Sequence, residues 1–213
     1  MVYSKVLVPS GVLGLGFDFK ALKLGILKKP DIISIDGGST DSGPASLGSG
    51  TSKYSRAAIK SEWKILMQAR SEAKIPLIVG SCGTCGTNGM VDWMEEITHE
   101  LSKELGQSLK ITKLFCEQEK EFIKKKFKSN KIYPLDPAPE LNLKTIDEMS
   151  NIVALAGAEQ IQEATIFQIL VPFIVLACSA ILCKCKIYKQ PDREGQPQPL
   201  HQQAHQIFRL GSF

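Results

Sequence analysis

Apolar and polar positions along the first 164 residues repeat one order: a short apolar run, a glycine-rich loop, an amphipathic stretch. Lys5–Pro9 (KVLVP) reads as a β-branched strand, followed by a loop holding Gly11, Gly14 and Gly16. Asp18–Leu27 reads as a short helix that Lys28, Lys29 and Pro30 stop. Asp31–Asp36 (DIISID) is nearly continuous in apolar residues, as strands buried on both faces are. Ser55–Lys74 carries Ile59, Trp63, Leu66, Met67 and Arg70 at helical spacing behind an N-cap serine. Ile75–Val79 is a third strand, and Met90–Leu105 is a helix with Val91, Met94, Ile97, Leu101 and Leu105 on one face, closed by Gly106. Leu109–Phe115 is a fourth strand and Glu119–Lys128 a helix. Tyr133–Pro139 is a connector, and Thr145–Ala156 and Ala158–Ala164 read as helical.

Strand, loop and helix repeated four times predict an α/β fold: a Rossmann-like parallel sheet with flanking helices joined by right-handed crossovers. In such sheets ligands bind outside the carboxyl ends of the strands. The glycine-rich loops all leave strands on that side, which predicts one crevice.

The seventeen-residue loop 37–53 is the most informative of them. Gly37, Gly38 and Gly43 let backbone approach a ligand, and Ser39, Thr40 and Ser42 add hydroxyls beside amide donors, a composition that suits phosphate or carboxylate. Asp36 and Asp41 are candidate general bases or hydroxyl ligands. A surface loop of ordinary turn residues is the competing reading. A loop this long inside a compact domain is uncommon without a function, which favours a site.

Gly80, Ser81, Gly83 and Thr84 belong to a second such loop, 80–89, which also holds Cys82 and Cys85. Three readings stand: an anion-binding turn, a redox pair near a helix N-terminus, and half of a zinc site completed by Cys183 and Cys185. The anion turn accounts for the most residues. Four residues separate Cys85 from the predicted helix at Met90, an imperfect thioredoxin-like placement. His99 is the one histidine of this region and lies mid-helix, far from any loop, which argues against Ser-His or Cys-His nucleophile systems. Acid–base work then falls to Asp36, Asp41, Asp92 or Glu117. For Asp92 and Glu117 a plain helix-start role competes. The chain has neither a P-loop nor a complete dinucleotide fingerprint, and no cofactor or metal is assigned.

Composition changes the picture little. Hydrophobic content of 43% supports a packed core, and the net charge of +4 is mild. Lys124, Lys125, Lys126, Lys128 and Lys131 form the densest cationic run, at the end of a helix where cations suit the dipole. No nucleic-acid motif accompanies it, so no nucleic-acid partner is expected. The chain runs directly into a strand without a secretory segment, and its six cysteines form no regular framework. The expected setting is cytoplasmic.

Several strings carry a family resemblance. They are Pro30-Asp31, Asp36 through Pro44 (DGGSTDSGP), Leu47 through Gly50, Ile75 through Ser81, Asp92-Trp93, and Pro137 through Leu141. Over residues 5–163 the chain resembles the acyclic terpene utilisation (AtuA-like) family. That resemblance implies a catabolic role on acyclic isoprenoid or branched acyl-CoA intermediates and a further C-terminal half or companion subunit; together with the loop composition it points to an anionic small-molecule ligand held by loops 37–43 and 80–89. Cys82 and Cys85 stand where the family carries small residues.

Past Ala164 the pattern breaks. Residues 1–164 form the predicted domain, 165–185 an apolar segment and 186–213 a Gln/Pro/His-rich tail that reads as disordered. Ile166–Cys183 is apolar apart from Gln168 and Ser179, just long enough for a single-pass membrane helix. Cationic flanks at Lys184, Lys186 and Lys189 accompany it. Three readings compete: a frameshifted or truncated end, a membrane anchor, and a buried core element. A non-catalytic remnant tethered by 166–183 is the functional alternative to a ligand-processing domain.

Overall fold

The computed structural model describes residues 4–38, 45–134, 138–155, 160–161 and 173–177. Its strands are β1 (Val6–Leu7), β2 (Ile32–Asp36), β3 (Leu77–Gly80), β4 (Lys110–Leu114) and β5 (Phe173–Ala177). The helices are α1 (Phe19–Leu27), α2 (Ala45–Ser49), α3 (Arg56–Ala73), α4 (Asn88–Leu105), α5 (Lys120–Lys128) and α6 (Leu143–Glu148). All strand pairs are parallel, in the order β1-β2-β3-β5-β4. The expected α/β sheet with flanking helices is therefore present.

The register explains the core. Ile33, Leu77 and Ile174 lie side by side across β2, β3 and β5, and so do Ile35, Val79 and Leu176. All six are buried together with Trp63, Leu66 and Met67 of α3 and Val91, Met94, Ile97 and Leu101 of α4. Alternate residues point the other way, so Ile78 and Val175 form a smaller cluster on the opposite face with Ile32 and Ile161. Each well-packed apolar side chain contributes about 1.5–3 kcal/mol, which makes the α3/α4 face the main source of cohesion. The Trp63 indole donates to Thr98 Oγ1 (2.9 Å), and Thr98 Oγ1 donates to Met94 O (2.7 Å), so these two buried polar side chains are satisfied. Outside, Glu100 accepts from Arg56 and Lys60, and Glu104 pairs with Lys60 and Lys64.

Caps set the helix ends. Asp18 caps α1, Ser55 caps α3 and Thr87 caps α4, while Lys74 and Gly106 close α3 and α4 in the left-handed region. The helix expected from Met90 thus begins two residues earlier, because the Thr87 hydroxyl accepts from Met90 N.

Two expectations fail on backbone pairing. The helix expected over Thr145–Ala156 ends at Glu148. Residues beyond it are extended: Gln118 N donates to Ile152 O, Ala154 N donates to Cys116 O, and Glu117 bridges Val153. Ile152 is then buried with Ile123, Ile132 and Ile146 under α5 and α6. The second concerns the apolar helix expected over 166–183. Its described part, Phe173–Ala177, is a strand seated between β3 and β4, with Ile174, Val175 and Leu176 buried. That part is a core element, since it pairs in parallel with β3 on one side and β4 on the other. The rest of 166–183 and the tail 186–213 lie outside the described residues. Among the described residues no helix is long and apolar enough to cross a membrane.

Candidate functional site at the carboxyl edge of the sheet

Loops leaving β2, β3 and β4 interlock at one edge. Gly37 N donates to Gly80 O (2.6 Å) and Thr84 N donates to Gly37 O (3.2 Å). Gly38 N donates to Asp36 Oδ1 (3.0 Å), so the Asp36 carboxylate braces the turn that begins its own loop. The segment 37–53, expected as one loop, is interrupted by α2 (Ala45–Ser49), and Lys53 N beyond that helix donates to Thr84 Oγ1 (3.2 Å). From β4, Glu117 Oε2 accepts from Asn88 N (3.0 Å), the first amide of α4. The carboxylate thereby meets the positive end of that helix.

Residues 81–87 are enclosed by these contacts and all are buried. Ser81 (φ 46°) and Thr84 (φ 73°) hold left-handed backbone without being glycine, a strain of about 1–3 kcal/mol each that persists only where surroundings impose it. The Ser81 hydroxyl is sealed from solvent and has no hydrogen-bond partner among the described residues. Burying a hydroxyl unsatisfied costs about 1–3 kcal/mol. Strain and an orphaned polar atom thus fall on one residue at the end of the central strand.

The predicted residues divide into three groups. Asp36, Gly37, Gly38, Gly80, Ser81, Gly83, Thr84 and Glu117 come together at this edge. Ser39, Thr40, Asp41, Ser42 and Gly43 lie outside the described residues. Cys82 and Cys85 belong to the same turn, closed by Gly86 N donating to Cys82 O (3.0 Å), and with Cys116 they are buried and outside any disulfide. Cys85 Sγ lies 3.6 Å from Thr87 Oγ1, so the thiol sits closer to the start of α4 than the predicted spacing implies. Among the described residues no three His, Cys, Asp or Glu side chains gather as a metal-binding group. Asp92 does not charge a helix start; it pairs with Lys113 (3.0 Å). His99 is exposed beside Glu95.

Sequence reasoning missed what the first glycine loop does. Gly14 N and Gly16 N both donate at 2.7 Å to the carboxylate of Glu62, a nearly buried residue of α3. The anion on that loop is the protein's own. Leu13 N also donates to Asp36 O (2.8 Å), which ties the loop to the end of β2. The signal was present: Glu62 interrupts the apolar stripe Ile59-Trp63-Leu66, and a carboxylate on a core-facing stripe needs donors. Arg70, lower on the same stripe, is 3% exposed, and its Nε and one terminal nitrogen have no partner among the described residues; burial pushes its guanidinium down from its ordinary value.

No protein-family model, no curated protein and no solved structure shows a significant match to this chain.

Proposed function

We propose that this is an AtuA-like domain that binds or processes an anionic small molecule, an acyl-CoA or carboxylate of acyclic-terpene or branched-chain catabolism, at the carboxyl edge of its sheet. The observation that carries this reading is Ser81: a strained, buried hydroxyl without a partner, held where the loops of three strands converge. A carboxylate or thioester oxygen is an acceptor that this hydroxyl lacks. The glycines at 37, 38 and 83 let these loops pack closely, since a Cβ there would meet Gly80 O, Thr84 Cα or Met90 Sδ, and Asp36 and Glu117 at the rim are the acid–base candidates. Because Ser81 is enclosed, a ligand reaches its oxygen only by displacing the groups packed over it. The string Ser39–Gly43, with Asp41, adds hydroxyl and carboxylate groups to the same loop in sequence.

Titration calorimetry with isovaleryl-CoA, free coenzyme A and isovalerate tests this. The reading predicts binding of at least one of the three, weakened about tenfold or more by Ser81→Ala and Asp41→Ala and unchanged by Lys125→Ala. Equal affinity in all variants, or no binding of any probe, overturns it.

A further inference from the structure

Among the described residues, large apolar side chains are exposed most densely at the β1 end of the sheet. Leu15 is 67% exposed, Leu24 62% and Leu27 74%, and Phe19, Val6 and Val8 beside them are also open. Packing explains how α1 comes to present them. Its inner face, Leu22, Gly25 and Ile26, sits on β1 so closely that a Cβ at Gly25 would meet Leu7 Cδ1 at 2.5 Å. Leu24 and Leu27, with Lys20 and Lys23, are left on the outer face.

Charge surrounds this surface in one sign. Lys5, Lys20, Lys23, Lys28 and Lys29 stand against only Asp18 and Asp31. Both carboxylates are engaged by backbone: Asp18 caps α1 through Lys20 N and Ala21 N, and Asp31 accepts from Lys5 N (2.6 Å). Among the described residues, Lys20, Lys23, Lys28 and Lys29 pair with no carboxylate. On α5, by contrast, Lys124 is held by Glu121 and Asp147.

We infer that the outer face of α1, with Leu15 and the β1 edge, docks on an anionic lipid surface. Leucines flanked by unpaired lysines on a convex helix are the composition of an interfacial segment, apolar groups entering the headgroup boundary while ammonium groups meet lipid phosphates. A second copy of the chain fits poorly, since a two-fold contact would bring the same lysines against one another. A free phosphate would leave the leucines unused.

The test is co-sedimentation of the full chain with phosphatidylcholine vesicles, with and without phosphatidylserine. The expected result is binding that requires phosphatidylserine, falls at least about tenfold in Leu24→Glu/Leu27→Glu, and falls roughly fivefold for each of Lys20→Gln and Lys23→Gln. Lys125→Gln/Lys128→Gln retains it. Both leucines are exposed, and an unchanged near-ultraviolet circular dichroism spectrum shows that their variant folds. Equal pelleting of wild type and the leucine variant overturns the inference, because another segment then carries the binding. Loss with the lysine variants alone shows a plain polyanion patch and overturns it too. Absence of vesicle binding overturns it, including where the leucine variant abolishes a dimer instead.

Discussion

Gly38 lies so close to Thr84 that a Cβ at position 38 would fall 2.0 Å from the Thr84 Cα. Backbone, not a flexible side-chain end, is what it would strike, so the two loops shift apart or the chain does not close. Gly38→Ala is expected to lower stability by about 1–3 kcal/mol, the usual cost of overpacking, and to weaken any ligand bound at this edge. Gly89→Ala, where nothing lies within 4 Å, serves as the control. Thermal unfolding of the two variants makes the comparison, and equal melting temperatures contradict the interlock.

Glu62 holds the first loop by two charge-assisted bonds. Glu62→Gln keeps the shape but removes the charge and one acceptor, leaving one of the Gly14 and Gly16 amides unpaired. The expected loss is about 1.5–3 kcal/mol, read from urea unfolding. Amide exchange should quicken at Gly14 and Gly16 ahead of the α3 core.

Arg70 predicts the opposite sign. Its Nε and one terminal nitrogen find no acceptor among the described residues, so the guanidinium costs more than it returns. Arg70→Met fills a similar volume without charge and is expected to raise stability by about 1–3 kcal/mol. A destabilised variant would mean that Arg70 is compensated by a group this account omits.

Much of the fold was legible because local pattern and tertiary role agree. DIISID gives β2, and Ile59, Trp63, Leu66 and Met67 give the buried stripe of α3. The segment FIVLA was not legible, since a continuous apolar run has no period to separate strand from helix. Its place is set by the gap between β3 and β4, a long-range fact. Likewise Ile152 and Val153 are drawn into extended pairing by Cys116–Gln118, which no local propensity announces. At the site, the glycines and Ser81 were identifiable by type. That Ser81 is sealed and strained, and that Glu62 fills the first loop, follow only from three-dimensional packing.

The α3–α4 ion pairs predict an acid response. Hydrogen bonds from Arg56 and Lys60 hold the Glu100 carboxyl well below its usual 4.5, at about 2. A depressed carboxylate stabilises the fold above its unfolded value, and that contribution is lost as pH falls from about 4.5 towards about 2. Glu100 is open to solvent and screened by salt, so the effect is small and shrinks at high ionic strength. Glu100→Gln should flatten the fall in melting temperature across that range relative to wild type. Identical pH profiles would show that the pair contributes nothing.

Hydrogen–deuterium exchange with and without isovaleryl-CoA tests the binding edge most directly. The account predicts protection on Gly37-Gly38, Ser81–Asn88 and Cys116–Gln118 together, the three loops that interlock around Ser81. Protection confined to the α5 lysines, or none at any of these loops, would contradict it.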